Sequence, residues 1–226
     1  KLTNAQPSQT KRTERHPIGI YISNVTMNDL GGNNWASTND WWYGFRMRVD
    51  VNNDEISGLY AQWHDQTGIT LAPIWLEGRA GLMRVVFKQN KEAGGGTENH
   101  NIFTNIVGTN KKYIFRIRWD TRSNAQGGSG LLQLYLDEDT TPIVDRSGQT
   151  AHDGTEKTPF SASTTGRAPN FKLGGYFSLW QAAGTPGDTK ETSYDDLIIV
   201  EDVGAVTDMR ASISALMDSV GVAGNP

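Results

Sequence analysis

An all-β sandwich of two antiparallel sheets is predicted by three features of this sequence. Apolar residues alternate with polar ones in most runs, breaks rich in Gly, Asn, Asp, Ser and Thr separate those runs, and helical spacing occurs only near the C-terminus. Trp42 to Val49 sets Tyr43, Phe45, Met47 and Val49 against Trp42, Gly44, Arg46 and Arg48. Tyr60 to Asp65 follows, with Gln62 and His64 on one face and Trp63 on the other. In Leu82 to Gln89, Met83, Val85 and Phe87 oppose Arg84, Val86 and Lys88. Tyr113 to Trp119 sets Phe115, Ile117 and Trp119 against Arg116 and Arg118, and Leu131 to Asp137 sets Leu132, Leu134 and Leu136 against Gln133, Tyr135 and Asp137. Phe171 to Trp180 places Phe171, Leu173, Phe177 and Leu179 opposite Lys172, Gly174, Tyr176, Ser178 and Trp180, and Tyr194 to Val200 is the last strong strand. Residues 1 to 11 are polar and contain no complete strand.

The segments Ala93 to Asn99, Ser123 to Gly130, Gly148 to Thr158 and Ala182 to Thr192 read as surface loops. Two twisted sheets packed on their apolar faces, one of them curved, give a jelly roll with a concave groove. Thr207 or Asp208 caps a predicted helix carrying Met209, Ile213, Leu216, Met217 and Val220 at helical spacing, with Gly221 ending it. The expected organisation is a jelly-roll domain over residues 1–204, with a C-terminal helix and tail over 205–226.

A chain of 226 residues, 36% hydrophobic, can bury one substantial core. With no cysteine there is neither a disulfide framework, a thiolate metal site nor a catalytic thiol. The net charge of -4 argues against a nucleic-acid module, and no apolar run approaches the roughly 20 residues of a membrane helix. The chain opens without a basic, apolar leader, so any export signal is expected to have been removed or not included. A local cationic groove on an acidic protein still suits an acidic ligand.

Gln62 and His64 share one strand face, as Lys172 and Tyr176 share another. An amide, an imidazole, an ammonium and a phenol on polar faces suit binding an acidic sugar and moving protons on it.

Three blocks resemble the jelly-roll polysaccharide lyases, the group that includes alginate, glucuronan and heparin lyases. Arg12-Thr13-Glu14 is similar to the group's R-[ST]-E strand, Gln62-Trp63-His64 to its Q-x-H strand, and Lys172-Leu173-Gly174-Gly175-Tyr176 to its K-x-G-x-Y strand. Trp42-Tyr43-Gly44-Phe45 and Tyr194-Asp195-Asp196 add to the likeness, which spans residues 12 to 200 in order. Trp63 and Ser178 stand where alginate lyases commonly carry an aliphatic residue and a Gln, and Arg15 stands where an apolar residue is usual. The Trp variant looks closer to the glucuronan and heparin lyase relatives.

The resemblance implies β-elimination on a uronic-acid polysaccharide, glucuronan-like or alginate-like. That reaction removes the proton at C5 and expels the C4 oxygen, and the ionised C6 carboxylate resists it until neutralised. Arg12 can pair with that carboxylate and Gln62 can donate to the developing enolate-like oxygen. An imidazole ordinarily titrates near about 6.5, so His64 can accept a proton. Tyr176 can donate to the leaving oxygen, or serve as base if Lys172 favours its phenolate, and the split between His64 and Tyr176 stays open. Lys172, Arg84, Arg116 and Arg118 are expected substrate contacts, with Trp180 stacking on a sugar, whereas Trp63 is expected in the core.

No metal is required by this chemistry, and the scattered His16, His64, His100 and His152 carry no zinc motif. Some relatives hold a structural calcium at a sandwich edge, for which Asp195, Asp196 or Asp202 would be suitable oxygen ligands, Asp195 being the chosen position. A secreted, endo-acting monomer is expected, with an acidic polysaccharide as partner and neither nucleic acid nor membrane. Two alternatives stand beside it. A noncatalytic lectin-like module would use aromatics and cations alone. A glycoside hydrolase would need two carboxylates across the cleft, and the closely spaced Glu-x-Asp-x-x-Glu pattern of sandwich glucanases is missing.

Overall fold

Strands form where the sequence alternates, and the alternation sorts their side chains onto two faces. The computed structural model describes residues 2–3, 14–15, 18–22, 27–32, 34–52, 58–64, 73–79, 81–88, 96–151, 170–177 and 189–223. The strands are β1 (Leu2–Thr3), β2 (Glu14–Arg15), β3 (Ile18–Ile22), β4 (Met27–Gly31), β5 (Asn34–Ser37), β6 (Asp40–Asn52), β7 (Gly58–His64) and β8 (Ile74–Arg79). They continue as β9 (Leu82–Lys88), β10 (Thr97–Thr104), β11 (Asn110–Arg118), β12 (Leu131–Leu136), β13 (Val144–Ser147), β14 (Asn170–Phe177) and β15 (Thr189–Asp202). Helix α1 (Met209–Ala223) follows.

One sheet has the order β1-β15-β6-β11-β12-β13, the other β10-β9-β8-β7-β14-β2 with β3 also on β14, and β4-β5 form a separate hairpin. All these strand pairs are antiparallel. The fold is an all-β jelly-roll sandwich with a C-terminal helix.

The inward faces meet in one core. Tyr43, Phe45, Met47, Tyr113, Phe115 and Ile117 come from the first sheet, and Ala61, Trp63, Leu76, Val85, Phe87 and Phe171 from the second. Several strands lie where alternation gave no warning. Thr97–Thr104 falls partly in the expected Ala93 to Asn99 loop, and it is polar because it is an edge strand with one neighbour, β9. Ile74–Arg79 is short and bounded by Pro73 and an interior Gly78, which hide its alternation.

Helix α1 lies on the outer face of the six-stranded sheet. Asp208 Oδ1 accepts from the Ala211 amide at 2.9 Å, as its expected cap role requires. Ile213 and Met217 bury Trp42, Ile114 and Tyr135, and Gly44 permits the approach, since a Cβ there would sit 2.7 Å from Ile213 Cγ2. Two expectations change here. The helix runs through Gly221 to Ala223, and Leu216 is 50% exposed because it falls off the stripe that meets the sheet.

A charged cluster backs this docking. Lys112 is buried and donates to Glu138, to Asp218 at 2.8 Å and to Ser214 at 2.9 Å, while Arg46 pairs with Asp196 and Asp218 at 2.5 Å each. The hydrogen bonds from Lys112 hold the Glu138 and Asp218 carboxyls below the usual carboxylate range. Groups with depressed values stabilise the fold above their unfolded pKa, and that contribution is lost as pH falls through their folded values. Acidification through that window is expected to speed hydrogen exchange of the α1 amides ahead of the core strands. The acid step should be smaller in Lys112→Met, where Arg46 alone still holds Asp218; equal exchange of helix and core at every pH would refute the coupling.

Candidate functional site

Trp63 fixes the site from behind. It is fully buried, with its ring 5.3 Å from Tyr43 edge-on, 4.7 Å from Phe115 and 5.0 Å from Phe171. Because strand positions alternate, an inward Trp63 assigns the backbone positions of Gln62 and His64 to the outer face of the seven-stranded sheet. Phe171 and Leu173, also buried in the core, do the same for Lys172 on β14.

The register then gathers the predicted residues. Gln62 is the cross-strand partner of Lys172, and His64 is that of Asn170. Both neighbours of Leu59 are offset, by shifts between Leu59 and Ala61 against β8 and between Leu173 and Tyr176 against β14. Tyr60 and Ala61 consequently both face the core, and Leu59 returns to the outer face opposite Tyr176 and Glu77. Gly174 supplies the β14 irregularity at φ 127°, a conformation that favours glycine. His64 thus lies two residues from Gln62 along β7, about 7 Å at about 3.4 Å per residue, and Tyr176 lies opposite Leu59, three residues to the other side of Gln62. Tyr176 is in turn paired with Arg15 of β2.

Strand β8 adds two residues that alternation in the longer runs did not reveal. Trp75 is the partner of Gln62 and of Val86, and Glu77 is the partner of Leu59 and of Arg84. Trp75 Nε1 donates to Glu77 Oε2 at 3.1 Å, and Arg84 Nη2 donates to Glu77 Oε1 at 3.1 Å. Glu77 is only 6% exposed and Val86 only 1%, although neither belongs to a core cluster, so this outer face is sheltered. The signal was present in Ile74 and Leu76 alternating with Trp75 and Glu77, but over too few residues.

Of the expected substrate contacts, Lys172 and Arg84 lie on this face, Arg84 already committed to Glu77. Arg116 and Arg118 do not. They belong to β11 of the other sheet, where both pair with Asp40 and Arg116 also stacks over Trp42 at 5.4 Å. Strand alternation gave them a polar face but not a sheet, and the sheet is the one α1 covers. Arg12 and Trp180 lie outside the described residues. Asp195 is exposed and accepts the Asp196 amide at 2.9 Å, Asp196 binds Arg46, and Asp202 accepts from Trp42 Nε1 at 3.4 Å. Among the described residues no group of three His, Cys, Asp or Glu side chains gathers to hold a metal. Among them, too, no helix is long and apolar enough to cross a membrane.

The Glu77 carboxylate and the Arg84 guanidinium are both mostly buried, with side chains 7% and 18% exposed. Removing one partner of such a pair costs about 3–5 kcal/mol, while replacing both by apolar groups is near neutral. Glu77→Leu is expected to lower stability on that scale in urea denaturation, and Glu77→Leu with Arg84→Met to recover most of it. Equal losses in both variants would show that the pair is not coupled.

No family model matches the chain, and no curated protein sequence matches it. Solved structures similar in fold include an alginate lyase from Pseudomonas aeruginosa, at 15% identity and TM-score 0.46 over 74% of this chain and 73% of that one. A family 7 alginate lyase, A1-II′, solved in complex with substrate, gives 16% identity and TM-score 0.46 over 77% and 68%. The alginate lyase from Corynebacterium sp. gives 15% and 0.46 over 74% and 61%. At this distance the chemistry of the site is carried by its own residues.

Proposed function

We propose that the chain is a polysaccharide lyase that cleaves a uronic-acid-containing polymer, glucuronan-like or alginate-like, by β-elimination within the chain. The observation that supports this reading is the β7–β14 register, which pairs Gln62 with Lys172 on the outer face and, on the same two strands, His64 with Asn170 and Tyr176 with Leu59. A polymer lying on that face meets an amide, an ammonium, an imidazole and a phenol. Gln62 and Lys172 supply hydrogen bonds and positive charge for the C6 carboxylate, with Arg12 joining them. That lowers the cost of carbanion character at C5, because donors placed where charge develops stabilise the transition state. His64 and Tyr176 divide the proton chemistry, one taking the C5 proton and the other serving the leaving C4 oxygen.

No metal takes part in these steps. A secreted monomer is the form proposed.

The test is to mix the protein with a panel of polyuronates and follow ultraviolet absorbance of the unsaturated uronate end. A lyase raises it. New reducing ends without that absorbance would instead indicate a hydrolase, and binding with neither product a lectin-like module; either result overturns the reading.

A further inference from the structure

Trp75 stands apart from the other tryptophans near the site. Its chain neighbours Ile74 and Leu76 are fully buried in the core, yet the Trp75 indole packs into neither core cluster and is half-buried on the outer face. It sits in a cross-strand row that runs Val86, Trp75, Gln62, Lys172. The indole N–H is tied to Glu77, which Arg84 holds from its other oxygen. Hydrogen bonding at one edge fixes the ring, and the Glu77 charge is met by Arg84 rather than left facing a ligand.

We infer that Trp75 is a stacking platform for a pyranose ring of the bound polysaccharide, next to the sugar met by Gln62, and that Glu77 is the positioning residue that orients it. This rests on the proposal that this face binds a polyuronate. Adjacent strands lie about 4.8 Å apart, so a polymer crossing the strands brings neighbouring sugars over β7 and β8. The C–H face of a pyranose is apolar with slightly positive hydrogens, and the indole face is apolar and negative, so the two are complementary. The acidic substituent of the stacked sugar projects from the ring edge, clear of the indole face, and Gln62 and Lys172 stay with the carboxylate of the neighbouring, reacting sugar.

Oligosaccharides of glucuronan and of alginate are the probes, read by equilibrium titration and by steady-state elimination. Trp75→Ala is expected to raise Kd and KM about tenfold, a change of about 1.4 kcal/mol, with kcat moving less than about twofold, as loss of uniform binding requires. Trp75→Phe keeps an aromatic face and should stay within about threefold of the wild type. Thermal melts establish that both variants fold, and the Phe variant carries the test if the Ala variant does not. For Glu77 the readout is rescue: Glu77→Gln keeps an acceptor for the indole N–H and should hold KM closer to wild type than Glu77→Leu does.

Unchanged Kd and KM in Trp75→Ala, or a fall in kcat with KM unchanged, would overturn the platform. Equal KM in the two Glu77 variants would overturn the positioning role. Wild-type protein that binds the oligosaccharides without elimination would defeat the lyase reading alone, since the titration still reports on Trp75. Absence of any binding would defeat both.

Discussion

Tyr176→Phe and His64→Ala are each expected to lower kcat on a polyuronate by about 10²–10⁴-fold, the usual contribution of a positioned acid or base. KM should change little, because Gln62 and Lys172, the groups proposed to meet the carboxylate, remain paired across β7 and β14. Tyr176→Phe removes one hydroxyl and leaves the strand, so its circular dichroism and melting should match the wild type. His64 closes β7 at the edge of the paired segment, and its replacement by Ala likewise breaks no ladder contact that a backbone amide makes. The double variant should lose little more than the worse single one, since residues acting as a unit are non-additive. Full activity in both single variants, measured by elimination product, would refute the assignment of these two residues.

Trp63→Ala should be as destabilising as the loss of Glu77 from its ion pair. The ring is fully buried, touches Tyr43 and Phe115 of the opposite sheet and Phe171 of the adjacent strand, and so joins the two layers. Truncating a buried Trp to Ala costs about 3–5 kcal/mol through lost burial and the cavity left behind. Trp63→Phe should cost less, because an aromatic face remains for the edge-on contact with Tyr43. Activity should fall further than the folded fraction explains, since Trp63 holds the phase that keeps Gln62 and His64 on the outer face. Urea midpoints checked against activity per folded molecule would test this. A loss under about 1 kcal/mol would mean the site collapses around the gap more fully than the mutational range allows.

The inward Trp63 between Gln62 and His64 was legible in the sequence because its information is local. Two polar residues bracket one large apolar residue, a strand alternates faces, and a tryptophan with aromatic neighbours goes inward. The same logic separated Lys172 from Phe171 and Leu173, and it placed an amphipathic helix near the C-terminus. Arg84, Arg116 and Arg118 show where that logic ends. All three alternate with core residues in identical fashion, yet Arg84 lies beside Glu77 on the sheltered face while Arg116 and Arg118 hold Asp40 on the opposite sheet.

Leu216 and Trp75 mark the same boundary. Leu216 has helical spacing but meets solvent, because only the line through Ile213 and Met217 faces Trp42, Ile114 and Tyr135. Trp75 and Glu77 sit in a six-residue strand with little periodicity to announce it, and they matter because that strand pairs with β7. Which side chains share a face within a strand follows from backbone geometry over a few residues, so it could be read from local order alone. Which strands are neighbours, which sheet lies beneath the helix, and which arginines meet Glu77 or Asp40 depend on pairings between segments far apart in the chain, so they emerge only with the fold.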